Sequence, residues 1–227
     1  MWKHQLLIAV ITFGLIWIAI VRAEDQPIEQ QLVDAMNKVW GVHPGFRANH
    51  AKGIVTEGAF KASPEAAGLS RAMLFNGTMI PATVRFSDAT GIPNVLDGGA
   101  AANPHGMAIK FHLPDGSDTD MVINSFKFFP VATGEDFRDL LLALAASPPD
   151  ASKPTKFEQF AASHPSVSAA FASMSTPDSF ADEEYYGVNA FVLVNKSGGD
   201  KQSAIRWCPS ASCIWWRLMR RNSRRIS

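Results

Sequence analysis

The sequence predicts an α+β protein in which an antiparallel sheet or barrel carries flanking helices. Three observations point there. Short β-prone runs separated by turn residues recur from residue 53 onward. An amphipathic helical pattern precedes them at residues 27–40, and another opens at Thr133. With 227 residues, 47% of them hydrophobic and 19% charged, the chain can bury one sizeable core and fits one domain better than two.

At the start, Lys3 and His4 lead into an apolar run from Leu6 to Ile20 and then to Val21-Arg22-Ala23. Residues 1–23 therefore read as a secretory signal cut after Ala23, with an uncleaved membrane anchor as the alternative. Either places the folded part outside the cytoplasm. Ile28, Leu32, Val33, Met36, Val39 and Trp40 then recur at helical spacing before Gly41, so residues 27–40 form a helix with a glycine stop that packs across the main core.

The β-prone runs are "GIVTEGAFKA", "ATVRFSDAT", "GMAIKFHLPDG", "MVINSFKFFPV" and "YYGVNAFVLVNKSGG". Pro114-Asp115-Gly116-Ser117 joins two of them as a hairpin turn. A calcium loop on Asp115, Asp118 and Asp120 fails on spacing, because Asp120 stands where a glycine is needed. Thr133 is a helix N-cap with Glu135 and Asp136 in the first turn and Phe137, Leu141 and Leu144 along one face. "SPPDASKP" ends that helix, a second helical stretch runs from Thr155 to about Ser163, and a loop rich in Ser and Pro follows.

The net charge of zero conceals an uneven distribution. Residues 24–205 hold 13 basic and 21 acidic residues, which argues against nucleic-acid binding by the body of the protein. The tail at 208–227, "CPSASCIWWRLMRRNSRRIS", has five arginines, both cysteines and no acid. It follows a strand abruptly and reads as aberrant, the product of a shifted frame or truncated gene, with a basic interaction tail as the alternative. Cys208 and Cys213 are assigned no role.

Among residues that carry chemistry, "GFRANHAKGI" at 45–54 crowds Arg47, Asn49, His50 and Lys52 together. A strand period of two puts Arg85 and Ser87 on one face of their run, with Val84 and Phe86 on the other. An inward Arg85 needs an anionic partner; an outward one points into water. Val122 and Asn124 share a face in the same way, and Asn124 equally fits the start of a turn.

"FRANHAKG" (46–53), "VRFSDATG" (84–91), "PHGMAIKFHLPDGSDTDMVINSFKFF" (104–129) and "GEDFRDLL" (134–141) resemble, in order, the signature segments of haem catalases. The signal, the chain length and "YYGVNAFVLVN" narrow the resemblance to the small bacterial catalase-related peroxidases, over residues 27–207. It implies a catalase-like antiparallel β-barrel with flanking helices, incomplete at its C-terminal end, and haem b as cofactor. His50 would be the distal catalytic histidine, Ser87 its hydrogen-bond partner and Asn124 the distal asparagine. Arg47 and Arg85 would hold haem propionates, and Phe137 would pack on the porphyrin. His43, His105, His112 and His164 receive no role; His112 is expected in solvent, and Lys52 is structural.

The implied reaction is periplasmic reduction of hydrogen peroxide or organic peroxides in oxidative-stress defence, with a small organic reductant or, as in a catalase, a second hydrogen peroxide. A neutral imidazole can take a proton from one peroxide oxygen and return it to the other. One family feature is missing: the proximal tyrosine in an R-x-x-x-Y motif that ligates the iron. Tyr185 and Tyr186 are the only tyrosines, and neither stands in such a motif. The alternative expectation is a fragment that binds haem weakly or not at all.

Overall fold

The computed structural model describes residues 26–208 and a two-residue strand at 217–218; the expected signal segment, Cys213 and most of the tail lie outside the described residues. Seven strands follow one another as an antiparallel meander, β1 (Gly53–Lys61), β2 (Met79–Asp88), β3 (His105–His112), β4 (Asp118–Asn124), β5 (Tyr185–Val194), β6 (Asp200–Trp207) and β7 (Arg217–Leu218). Helix α1 (Ile28–Trp40) precedes the sheet and the single turn α2 (Ala66–Leu69) links β1 to β2. Helices α3 (Gly134–Ala145), α4 (Lys156–Ser163) and α5 (Pro165–Ala172) fill the connection from β4 to β5. No helix among the described residues is long and apolar enough to cross a membrane.

The α+β class and the antiparallel sheet agree with the sequence, but the sheet is not a closed barrel among the described residues. Closure requires every strand to have two neighbours. Strand β1 pairs only with β2, and β4 meets β5 at one register pair, Asn124 with Tyr186, where the helical insertion begins to part them.

The period of two divides the sheet cleanly. Ile80, Ala82, Met107, Ile109, Phe111, Ile123 and Tyr185 are buried on one face, with Val84, Phe86 and Met121 packed against them. Their neighbours one residue along make rows across the opposite face: Gly53–Ser87–Gly106–Asn124, then Val55–Arg85–Ala108–Val122. The β3–β4 hairpin forms as expected: Gly116 has φ 83°, and Asp115 Oδ1 accepts from the Ser117 N–H at 3.0 Å.

The helices form a second layer. Thr133 caps α3, accepting from the Asp136 N–H at 3.1 Å, and Thr155 opens α4 in a reciprocal capping box with Glu158. Two expectations are corrected. Helix α1 lies along α3 instead of crossing the sheet: a side chain at Gly134 would meet Ile28, and Arg138 donates to Gln31 Oε1 at 2.7 Å. The stretch after Ser163 contains α5 instead of only a loop; Pro165 sits in its first turn, where proline is tolerated, and Val167 and Ala170 are fully buried.

Because Ile80 is wholly buried and Val122 is 75% exposed, the two faces should respond differently to truncation. Ile80→Ala is expected to destabilise by about 2–5 kcal/mol and Val122→Ala by no more than about 0.5 kcal/mol. Urea unfolding of the two variants checks this.

Candidate active site

Residues 45–52 are fastened to the end of the sheet at several points. The Ala51 N–H donates to Thr90 O at 3.0 Å, the Asp88 N–H to Lys52 O at 3.2 Å, and Arg85 Nη2 to His50 O at 2.8 Å. Lys52 Nζ ties the loop to Val95 O and Asp97, which fits the structural role expected of it. At the centre, His50 has φ 54°, a left-handed conformation that costs a branched or bulky residue free energy. Asn49 Oδ1 accepts from the His50 N–H at 2.9 Å and helps hold that turn.

The turn lays the imidazole against the sheet. His50 Nδ1 and Ser87 Oγ are hydrogen-bonded at 3.0 Å. The ring passes so close to β3 that a Cβ built on Gly106 would stand 2.7 Å from His50 Cε1 and 3.2 Å from Ser87 Oγ. A Cβ on Gly53 would likewise meet Phe86 O at 2.3 Å. Only glycine permits these approaches.

Two arginines border the ring. Arg85 is half-buried and Arg47 exposed, and neither has a carboxylate partner among the described residues. Burial, then the charges of Arg85 and Arg47, lower His50 from 6.5 to about 4, so the imidazole is neutral near pH 7. Burial and the Arg47 charge also lower Arg85.

His50, Asn124 and Phe137 all line one cavity of about 270 Å³, walled otherwise by Trp40, Phe126, Phe129, Leu140 and Leu144. The Phe126 N–H donates to Asn124 Oδ1 at 2.8 Å, so both readings of this residue hold: it makes a turn and its amide faces the cavity region. With its oxygen engaged, the amide NH2 is the group left to meet a ligand. Phe137 packs edge-on against Phe129, ring centres 5.0 Å apart.

Thus the structure brings His50, Ser87, Asn124 and Phe137 to one end of the sheet, with Arg85 and Arg47 near enough to His50 for their charges to act on it. Gly106, Trp40 and Phe126 were not singled out as site residues from the sequence. A glycine inside the strand pattern "PHGMAIKF" is the one signal that could have found Gly106.

Beneath this row lies a buried polar cluster. His105 Nδ1 is 3.0 Å from Glu183 Oε2, and His105 Nε2 is 3.7 Å from Asp88 Oδ1. Both Asp88 oxygens are buried without a hydrogen-bond partner. Burial and then Asp97 push the Asp88 carboxyl up to about 6, against the pull of His105 and Lys52. His112 is half-exposed and paired with Asp118 at 2.9 Å. His43 and His164 contact Trp40 O and Phe160, away from the imidazole of His50.

The residues present fit one face of a haem. Two guanidiniums without carboxylate partners among the described residues suit propionates, and the exposed apolar Val55 and Val122, in the same cross-strand row as Arg85, suit a flat apolar ring. Among the described residues none offers an axial ligand in this cavity, whose lining holds no tyrosine, no cysteine and no histidine besides His50. Tyr185 is fully buried on the core face, and Tyr186 donates to Glu184.

The open antiparallel sheet with its helical insertion and histidine-centred pocket defines a catalase-type chain. Residues 30–215 match the model of the family described as catalase. This protein belongs to the catalase family, and its relatives place it with the small catalase-related proteins. It is 35% identical over 186 residues to the catalase-related peroxidase of Mycolicibacterium paratuberculosis, covering 80% of this chain and 58% of that one. It is 34% identical over 181 residues to the catalase-related peroxidase of Synechococcus elongatus, covering 78% and 52%. The chain therefore spans between half and three-fifths of those relatives' length. Among solved structures, a bacterial catalase superposes with a TM-score of 0.59 at 23% identity, over 71% of this chain and 32% of its own. A fungal catalase superposes at 0.58 and 20%, over 71% and 33%.

The two shifted groups act on stability with opposite signs. His50 binds fewer protons folded than unfolded, so its contribution is complete above pH 6.5 and is lost as pH falls towards 4. Asp88 binds more protons folded, so its contribution is complete below its ordinary 3.8 and is lost as pH rises through about 6. Between pH 6.5 and 4, His50→Gln should therefore lose less stability than the parent, by at most about 3 kcal/mol. Thermal unfolding across that range measures the difference.

Proposed function

We propose that this protein is a haem-dependent peroxidase that reduces hydrogen peroxide or organic peroxides in the periplasm, as part of defence against oxidative stress. The observation that carries the reading is the convergence of His50 and Asn124 on one apolar cavity, with Arg85 hydrogen-bonded to the His50 carbonyl and the charges of Arg85 and Arg47 acting on its ring. The names of the two catalase-related peroxidases support the same activity. The N-terminal apolar run supports export.

Arg47 and Arg85 would bind the haem propionates, and Phe137 would pack against the ring. A bound haem supplies the iron at which the O–O bond is split and the oxidising equivalents are stored. The chain's own groups supply the proton chemistry. In the tautomer with Nδ1–H donating to Ser87 Oγ, His50 Nε2 carries the free lone pair. It accepts the proton of one peroxide oxygen and returns it to the departing oxygen, and its low pKa keeps it ready to accept. The Asn124 amide, oriented by the Phe126 N–H, donates to the peroxide and holds it towards His50. The aromatic wall excludes water from the exchange.

Haem titration of the chain is the test, followed by peroxide turnover with an organic reductant. Arg85→Leu is expected to weaken haem binding about tenfold to a hundredfold, the loss of one hydrogen bond to a charged group. His50→Ala should keep haem and lower turnover by about 10²–10⁴. A chain that takes up no haem leaves the alternative, a catalase-fold protein without a competent iron site.

A further inference from the structure

The row of residues that carries the site does not stop at Asn124. Asn124 pairs with Tyr186 on β5, and Tyr186 pairs with Arg206 on β6, so all three stand on the face opposite the main core. Their neighbours confirm the alternation: Tyr185 is buried in the core, and Gly187 lies against Ile123 and Ile205. Tyr186 is two strand spacings from Gly106, roughly 10 Å.

The two tyrosines are chemically unlike. Tyr185 is fully buried and its hydroxyl donates to the Phe180 carbonyl at 3.0 Å. A peptide carbonyl cannot take the proton away. The Tyr186 hydroxyl donates to the Glu184 carboxylate, Arg206 also bonds Glu184, and the guanidinium carbon of Arg206 lies 5.5 Å from the centre of the Tyr186 ring. The half-exposed Tyr186 ring lines a polar hollow of about 350 Å³ with Lys127, Ser173, Asp178 and Glu184.

A phenol that loses one electron becomes a strong acid and must also lose its proton. Tyr186 has a base on its hydroxyl and Tyr185 has none. We propose that Tyr186, with Glu184 as its proton acceptor, is a redox-active tyrosine that relays single electrons from small electron-rich aromatic reductants, phenols or aromatic amines, in the adjoining hollow towards the His50 cavity, where a bound haem would take them up. The local chemistry rests on the phenol and carboxylate alone; the direction of electron flow rests on the proposed peroxidase function.

The step balances. Tyr186 gives one electron to a one-electron oxidant, and its O–H proton passes to Glu184, leaving a neutral phenoxyl radical beside a carboxylic acid. The reductant then returns one electron to the ring and releases its own proton to water, and Glu184 returns the tyrosine's proton to the oxygen. Two such cycles supply the two electrons, and the two protons released by the reductants supply the two protons, that one peroxide takes up.

The test uses the full chain without haem and a photogenerated ruthenium(III) tris-bipyridine oxidant. The chain has only two tyrosines, so a phenoxyl signal in transient absorption or EPR belongs to one or the other. The parent and Tyr185→Phe should give the signal and Tyr186→Phe should not. Glu184→Gln should slow its formation by about a hundredfold, the low end of what a positioned proton acceptor contributes. A signal that survives Tyr186→Phe, or a Glu184→Gln rate equal to the parent's, overturns the assignment. In haem-loaded protein, Tyr186→Phe should lower phenol oxidation while haem uptake stays unchanged; equal phenol oxidation overturns the relay. If the parent itself turns over no peroxide while the haem-free signal behaves as expected, the peroxidase reading fails and the redox-active tyrosine stands.

Discussion

One approach governs the site: the imidazole of His50 lies against a floor that has no side chain. Gly106 leaves the space, Ser87 supplies the hydrogen bond, and the left-handed turn at His50 aims the ring. Each element alone is unfavourable or neutral. A positive φ strains the backbone, glycine weakens a strand, and a half-buried imidazole without its proton forgoes hydration. They persist together because the surrounding loop is tied to the sheet through Thr90, Asp88 and Arg85. The low proton affinity of His50 follows from the same placement, since the ring is desolvated beside two cations.

The sheet does two jobs through its alternation. One face supplies the core, from Ile80 to Ile123, and the other presents the rows that meet a ligand. The polar cluster of Asp88, His105 and Glu183 lies one residue along from Ser87 and Gly106, on the core side. Anything that moves these strand ends moves the floor under His50, which couples a buried charge cluster to the geometry of the pocket.

Much of this was legible in the residues. The alternation around "VRFSD" put Arg85 and Ser87 on one face because a strand has a period of two, and the turn residues at 114–117 marked the hairpin. Thr133 announced its helix because an N-cap is a local hydrogen bond. The pairing of His50 with Ser87, 37 residues apart, came from family resemblance and not from spacing. What stayed hidden was non-local. Helix α5 has weak amphipathicity and two serines among its eight residues, so only its tertiary burial reveals it. The choice of α3 over the sheet as partner for α1 and the φ of His50 are likewise set by contacts between distant segments. His105 offered no local sign that it would be buried between two carboxylates.

The measurement that tests the account most directly is the titration of the His50 imidazole, followed by 15N NMR in the parent chain and in Gly106→Ala. The account predicts that the parent ring stays neutral down to a pH of about 4 and that the added methyl, by lifting the ring off its floor, moves the titration up towards 6.5. A parent ring that titrates near 6.5, or one whose titration ignores the methyl at position 106, would contradict it.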